Sequence, residues 1–180
     1  MGYKFDYFTH SYDTDIHRKL PDLLITLFKT ISMVLGCKNY NPEISIINFY
    51  PAIGGELPRS KCAGLCGHQD IYESNLQNPL ISISFGQPCI YLLGDDTKEN
   101  EPIGFNYYQF LSLGMYFTNG DIMIMQSEAR TAFHAVPIVF CGTKFQNTSQ
   151  ITENNETKED IDVINYLNNF RVNINVRQMF

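Results

Sequence analysis

The chain has 180 residues and a net charge of −6 with a pI near 5.1, and it is 44% hydrophobic and 13% aromatic. This length suits one folded domain, because single cores usually grow to about 100–200 residues before they split. No apolar run approaches the roughly 20 residues that a membrane helix needs, and the acidic balance argues against a broad basic nucleic-acid surface. We therefore expect one globular domain over residues 1–180 that does not enter a membrane.

The N-terminal stretch MGYKFDYFTHSYDTD lacks the basic start and the apolar core of a signal peptide. The five cysteines are therefore expected to be reduced thiols of an intracellular protein. We expect this protein to be a monomer.

The first predicted element is a helix over residues 21–35, where apolar side chains recur at helical spacing. Pro21 suits its first turn and Gly36 its C-terminal cap. Residues 1–42 are accordingly expected to form a helical N-terminal support for the rest of the chain.

Strand-like segments follow, separated by Gly, Pro, Asn and Asp. They cover residues 43–50, 80–86, 88–94, 109–117, 120–126, 134–140 and 171–180. This pattern predicts a mainly β fold with flanking helices: a sandwich, a barrel or a jelly roll. Residues 146–160 are polar and poor in apolar side chains, so we expect residues 141–168 to form a partly disordered insertion. A short helix within 159–170 is expected to lead into the last strand.

The stretch CGHQD places His68 and Asp70 two residues apart, so they share a face if the chain is extended there. His134 begins a later predicted strand and supplies a second imidazole. Two histidines and one carboxylate form the set that binds non-haem Fe(II) and leaves positions open for a co-substrate and O₂. His-X-Asp is common by chance, however, so this spacing alone does not establish a metal site.

A zinc site built from Cys62, Cys66 and His68 in CAGLCGH is the rival interpretation, because thiolates and imidazole suit zinc. No second cysteine pair follows at the spacing of a structural zinc site, which disfavours this alternative.

The C-terminal strand FRVNINVRQMF alternates polar and apolar side chains. The polar set is Arg171, Asn173, Asn175 and Arg177. A buried guanidinium needs an anionic partner, and a dicarboxylate ligand would supply one that arginine can grip with two parallel hydrogen bonds. Asn48 and Tyr50, also two residues apart, could donate hydrogen bonds to the same ligand. The alternative is that the two arginines lie on an exposed strand face.

Taken together, INFYP, HQD, LISISFGQPCIYLLG, GDIMIMQSEARTAFHAVP and RVNINVRQMF occur in a recognisable order. The chain resembles the AlkB family of Fe(II)- and 2-oxoglutarate-dependent dioxygenases over roughly residues 43–140 and 170–180. It is most similar to the animal AlkB homologues associated with tRNA and DNA demethylation. The resemblance implies a double-stranded β-helix, or jelly roll, as the core.

The resemblance also implies residue roles. The iron ligands would be His68, Asp70 and His134, and the contacts to 2-oxoglutarate would be Asn48, Tyr50, Arg171, Asn173 and Arg177. Arg130 corresponds to the family's arginine four positions before the second histidine, and we expect it to orient a carboxylate, Asp70 or Asp121.

The implied activity is oxidative demethylation of N-methylated bases in RNA, particularly tRNA, or in DNA. Such an enzyme uses Fe(II), O₂ and 2-oxoglutarate and releases succinate, CO₂ and formaldehyde, and a base in a duplex must be flipped out to react. The alternative is a 2-oxoglutarate-dependent protein or small-molecule hydroxylase or demethylase, which the acidic pI favours.

The candidate substrate residues are Tyr72, Glu73 and Lys98. Tyr72 occupies the position that is acidic in the bacterial enzyme, and its ring could stack on a base. Arg59 and Lys61 are further basic residues that could reach a nucleic-acid backbone. Only 47 residues precede Asn48, so we expect part of the family's nucleotide-recognition lid to be missing.

Overall fold

The computed structural model describes residues 1–52, 64–94, 113–145 and 157–180. These residues contain ten strands and two α-helices, together with a 3-10 helix at Ser127–Thr131. The strands are β1 (Gly2–Asp6), β2 (Ser11–Arg18), β3 (Ile44–Pro51), β4 (Leu65–His68), β5 (Leu80–Gly86), β6 (Cys89–Leu93), β7 (Leu113–Phe117), β8 (Ile122–Met125), β9 (His134–Val139) and β10 (Phe170–Arg177). The helices are α1 (Asp22–Val34) and α2 (Lys158–Leu167).

The strands form two antiparallel sheets, which confirms the predicted jelly-roll class. The larger sheet has the order β2-β1-β3-β10-β5-β8, and the smaller has the order β4-β9-β6-β7. β10 lies between β3 and β5 and pairs with both over most of its length. The last strand of the chain therefore occupies the centre of the larger sheet.

Alternation along the central strands separates an apolar face from a polar face. On β5, Ile81 and Ile83 pack with Phe28 of α1 and Val176 of β10 in one core cluster. The intervening serines, Ser82 and Ser84, are also buried but face the opposite side of the sheet. A second cluster, formed by Tyr50, Cys89, Tyr91, Val136 and Val139, packs between the two sheets.

The N-terminal region differs from the expected helical support. Residues 21–35 do contain the predicted helix, but a β-hairpin of β1 and β2 precedes it and extends the larger sheet through pairing of Gly2 with Ile44. Tyr12 of β2 packs in a third cluster with Ile44 and Met179. The sequence does not predict this hairpin, because aromatic side chains alternate there among Asp, Thr and Ser, which weakens the strand pattern.

The predicted short helix before the last strand is present as α2. Thr157 and Asp160 form a capping box at its N-terminus, in which each side chain bonds the other residue's backbone N–H. Of the insertion predicted over residues 141–168, residues 146–156 lie outside the described residues, as do residues 109–112 of the strand predicted over 109–117. The part of the insertion over residues 158–167 is ordered as α2. Neither described α-helix is long and apolar enough to cross a membrane.

Candidate active site

The two histidines predicted to bind the metal lie next to each other at one end of the smaller sheet. β4 ends at His68 and β9 begins at His134, and the two residues are direct partners in the β4–β9 register. Asp70 follows β4 closely and is buried. Its Oδ1 lies 3.9 Å from Nε2 of His68, and its Oδ2 lies 3.6 Å from Nε2 of His134. One ligand atom from each residue lies within 4.8 Å of the others, so the three could hold one metal ion.

Both imidazoles are oriented by their second ring nitrogen. Nδ1 of His68 lies 2.9 Å from the carbonyl oxygen of Cys66, and Nδ1 of His134 lies 3.2 Å from that of Ala132. Tyr91 also stacks on the ring of His134, with 5.6 Å between centroids and 11° between planes. Such contacts leave Nε2 of each histidine directed at Asp70, as expected for metal ligands whose orientation is fixed from outside the metal shell.

The charge states of these groups suit a divalent cation. Burial opposes the ionisation of Asp70, but Arg177 and then His134 outweigh it and hold the pKa of this carboxyl well below its usual range. Burial, and then the neighbouring His134, lower the pKa of His68, which favours its neutral form. A carboxylate and neutral imidazole are the forms that bind metals.

Glu73 is not among the residues that line the cavity, which argues against its expected contact with substrate. Its side chain is fully buried and forms ion pairs with Arg130 at 2.8 Å and with Arg177 at 2.7 Å. Both oxygens of this carboxylate are therefore already used by buried guanidinium groups. The carboxylate partner of Arg130 is Glu73, which corrects the expected pairing with Asp70 or Asp121. Arg130 contacts Asp70 through the backbone oxygen of that residue.

The predicted 2-oxoglutarate residues share one face of two adjacent strands. In the β3–β10 register, Asn48 lies opposite Asn173 and Tyr50 lies opposite Arg171, and all four line the same cavity as the metal-binding cluster. Asn175 lies on this face as well, and its Nδ2 donates to Oδ2 of Asp70 at 3.2 Å. The face thus connects the candidate metal ligands to the polar residues of β10.

Arg171 is a buried guanidinium with unused hydrogen-bond donors. It is 1% exposed, and its Nη2 donates to Oγ of Ser84 at 3.0 Å. Its Nε and Nη1 have no hydrogen-bond partner among the described residues. Burial raises the pKa of the facing Tyr50 to about 12, so its phenol remains a hydrogen-bond donor. Two orphaned guanidinium nitrogens beside a neutral phenol fit a carboxylate of 2-oxoglutarate.

Arg177 lies in the same cavity, but its guanidinium is already engaged. Nη2 lies 2.5 Å from Oδ2 of Asp70, Nη1 contacts Glu73 and the Tyr12 hydroxyl, and Nε donates to Asn175. Its predicted contact with 2-oxoglutarate therefore stays a prediction, while its contact with Asp70 is a feature of the structure.

The cavity has a volume of about 310 Å³ and is open at an aromatic rim. We use "aromatic rim" for Phe5, Tyr7, His10 and Tyr72, which line the cavity from the β1–β2 hairpin and from the segment after Asp70, whereas Tyr12 is buried deeper in the wall. Tyr72 is 39% exposed and stacks on His10 with 5.5 Å between ring centroids.

Some residues singled out in the sequence lie outside the described part of the chain. These are Cys62 of the alternative zinc site and the basic residues Arg59, Lys61 and Lys98. Cys66, the other thiol of that alternative, is exposed and contributes its carbonyl oxygen to His68.

Several cavity residues are not predicted as site residues from the sequence, although it carries a signal for one of them. Ser82 alternates with isoleucines on a buried strand and lines the cavity, and a polar side chain in such a pattern marks a face with a separate role. Tyr91, Phe5 and His10 have no comparable signal, because their place depends on how the smaller sheet and the N-terminal hairpin pack.

Fold and donor set together define a jelly-roll protein with a two-histidine, one-carboxylate centre. The chain belongs to the 2OG-Fe(II) oxygenase superfamily, whose family model matches residues 1–177. The described residues fit the two groups implied by that family, Fe(II) at His68, Asp70 and His134, and 2-oxoglutarate at the orphaned Arg171.

Curated relatives confirm the resemblance to the AlkB family. The chain is 31% identical over 184 residues to the DNA N(6)-methyladenine demethylase ALKBH1A of Arabidopsis thaliana, covering 100% of this chain and 48% of that protein. It is 28% identical over 181 residues to the tRNA demethylase abh1 of Schizosaccharomyces pombe, covering 99% and 51%. The human nucleic acid dioxygenase ALKBH1 is 30% identical over 139 residues, which are 77% of this chain and 31% of the human protein.

A solved structure shows the same fold. The structure of OsALKBH1 superimposes with a TM-score of 0.64 at 19% identity, covering 99% of this chain and 75% of that one. The chain spans about half the length of the Arabidopsis and yeast relatives.

Proposed function

We propose that this chain catalyses oxidative demethylation of N-methylated bases in nucleic acid, with Fe(II), O₂ and 2-oxoglutarate. The observation that carries the proposal is that the His68, Asp70 and His134 cluster and the orphaned Arg171 open into one cavity of about 310 Å³. The names of the relatives support a nucleic-acid substrate, since they describe demethylases of DNA and of tRNA.

In this proposal each part of the cavity has a separate task. His68, Asp70 and His134 would hold the iron, and Arg171 with Tyr50 would hold a carboxylate of 2-oxoglutarate. When bound, these groups and O₂ supply the oxidation that releases a methyl group as formaldehyde and leaves succinate and CO₂.

The chain's own apolar residues would shield the reacting methyl group. Leu80, Met125 and Val136 line the cavity and are at most 5% exposed. Their side chains keep water from the methyl group and offer it an apolar surface.

The aromatic rim supports a base as the group that enters the cavity. Stacking on aromatic side chains is tolerant of sequence and contributes about 1–3 kcal/mol per base. Tyr72 is partly exposed at the entrance, and its ring stacks on the ring of His10. A flipped base would take the place of such a ring partner.

The proposal is tested by comparing turnover on three substrates: N-methylated tRNA, N-methylated single-stranded DNA and a methylated histone peptide. Formaldehyde and succinate are measured together, and the unmethylated form of each substrate serves as its control. We expect formaldehyde above the unmethylated control from at least one nucleic acid and none from the peptide. Turnover of the peptide in preference to both nucleic acids would instead establish the protein hydroxylase or demethylase class.

A further inference from the structure

A buried network of four charges surrounds Asp70. Its members are Asp70, Glu73, Arg130 and Arg177, and the side chains of the last three are 0%, 2% and 4% exposed, respectively. The two carboxylates balance the two guanidinium groups. Removing one partner of a buried ion pair is strongly destabilising, so each member of the network depends on the others.

Glu73 is the member that joins the two arginines. Its Oε2 accepts from Nη2 of Arg130 at 2.8 Å, and its Oε1 accepts from Nη1 of Arg177 at 2.7 Å. The Tyr12 hydroxyl donates to the same Oε1 at 3.2 Å. Both carboxylate oxygens are therefore used, each on a different arginine.

Each arginine in turn holds Asp70 by a different group. Nη2 of Arg177 lies 2.5 Å from the carboxylate oxygen Oδ2, whereas Nη1 of Arg130 donates to the backbone oxygen of Asp70. Arg130 is itself fixed through Nε, which donates to the backbone oxygen of Asn78 at 3.1 Å. The side chain and the main chain of Asp70 are thus both held by guanidinium groups that Glu73 fixes.

We propose that Glu73 is a positioning residue for the metal site: through Arg130 and Arg177 it sets the orientation of Asp70 and keeps the surrounding charge low enough for a divalent cation. This inference rests on the metal ligands assigned under the proposed function. Without the Glu73 carboxylate, Arg177 has Asp70 as its one acidic partner among the described residues and competes with the metal for it. One unbalanced positive charge would also remain beside the cation.

The test is a Co(II) titration of the metal-free protein, followed by the visible absorption of the bound ion, with wild type, Glu73→Gln and Glu43→Gln. Glu43 is the control because its carboxylate accepts from the backbone N–H groups of Met179 and Phe180. Its contact with the network is a backbone hydrogen bond to the carbonyl oxygen of Arg177, which the substitution leaves in place. We expect Glu73→Gln to raise the Kd for Co(II) about 10- to 100-fold, the effect typical of groups that orient metal ligands. The control is expected to retain the wild-type Kd.

Thermal unfolding of the metal-free variants separates positioning from folding. A loss of stability in Glu73→Gln with a Kd for Co(II) equal to that of the control would overturn the proposal, because a purely structural residue would give that result. If Glu73→Gln does not fold, the Co(II) titration is repeated with Glu73→Asp. This variant keeps the charge, but its side chain is one methylene too short to reach both arginines. A Kd above the control supports the proposal, and a wild-type Kd overturns it.

The experiment uses no nucleic acid and measures no turnover. If wild type binds Co(II) but demethylates nothing, the substrate assignment fails and the role of Glu73 is still decided. If wild type does not bind Co(II), the metal site itself is wrong and the role of Glu73 falls with it.

Discussion

At the level of single residues, the charge on Arg171 is the clearest sign of what the cavity binds. Arg171 forms no ion pair with any described acidic side chain, although it is almost completely buried. Loss of a carboxylate partner from a buried guanidinium costs about 2–5 kcal/mol in comparable binding sites. Such an arginine is expected to be paired when the co-substrate is bound.

Replacing Arg171 by Ala is expected to raise the 2-oxoglutarate concentration needed for half-maximal turnover by more than about tenfold. Iron affinity should change much less, because Arg171 does not contact His68, Asp70 or His134 through any described hydrogen bond or ion pair. The measurement is a 2-oxoglutarate titration at saturating Fe(II), with Arg18→Ala as an exposed-arginine control. Superimposable curves for the Arg171 variant and wild type would show that Arg171 does not bind 2-oxoglutarate.

Tyr72 offers a matched comparison for substrate binding. Tyr72 and Tyr166 are 39% and 38% exposed, and each stacks on a neighbouring ring, but Tyr166 lies on α2 and does not line the cavity. We expect Tyr72→Ala to raise KM for the methylated nucleic acid about tenfold, since base stacking contributes about 1–3 kcal/mol. Tyr166→Ala should leave KM unchanged. Equal KM values in the two variants would exclude Tyr72 from substrate binding.

At the level of strands and helices, the end of β5 fixes the position of Arg171. Gly86 is the register partner of Arg171 and has a φ of +77°. A Cβ at this position would lie 2.2 Å from the backbone oxygen of Phe170, the residue before Arg171. Glycine is therefore required here both for the left-handed backbone and for the close approach of β5 and β10.

The expected result of Gly86→Ala is a lower Tm together with weaker 2-oxoglutarate binding. Gly120→Ala is its control, because Gly120 also has a positive φ, +91°, but a Cβ added there would meet no described atom within 4 Å. The backbone conformation alone costs an L-residue about 1–2 kcal/mol at each position, and the clash adds to this at Gly86. Thermal unfolding of both variants measures the difference, and identical losses of stability would show that the contact with Phe170 is unimportant.

Strands and helices can be predicted from this sequence where hydrophobic alternation is strong. The predicted segment 80–86 is β5, Leu80–Gly86, because isoleucines and serines alternate there without interruption. The β1–β2 hairpin escapes prediction, because Tyr3, Phe5 and Tyr7 alternate with residues that also suit loops. Its position at the cavity entrance depends on pairing with β3 across about 40 residues of chain, from Gly2 to Ile44.

At the level of the whole molecule, the candidate metal ligands can be predicted from the sequence, but the buried charge network that supports them cannot. His68 and Asp70 are two residues apart, His134 begins a later predicted strand, and the family resemblance joins the three. Glu73 is instead assigned to the substrate on sequence grounds, because nothing local shows that it meets Arg130, 57 residues away, and Arg177, 104 residues away. The network joins residues that follow β4 and β8 to the end of β10, so its geometry depends on how the two sheets pack.

The net charge of −6 makes a specific prediction for nucleic-acid binding. Phosphate contacts dominate salt-dependent affinity, and we expect only about two to three of them, so log K should fall with log salt at a slope of about −2. Charge reversal at Arg59 and Lys61 should flatten the slope, with Lys29→Glu on α1 as the control. Affinity that does not change between low and high salt would contradict binding through the nucleic-acid backbone.

The cavity is proposed to couple 2-oxoglutarate turnover to removal of a methyl group from a base. The decisive measurement is simultaneous quantification of succinate and formaldehyde from N-methylated tRNA and single-stranded DNA, with wild type and with Ala at His68, Asp70 or His134. We expect equal molar amounts of the two products from wild type and neither product from the three folded variants. Undiminished turnover in any one variant, or succinate without formaldehyde on every methylated nucleic acid, would contradict this coupling.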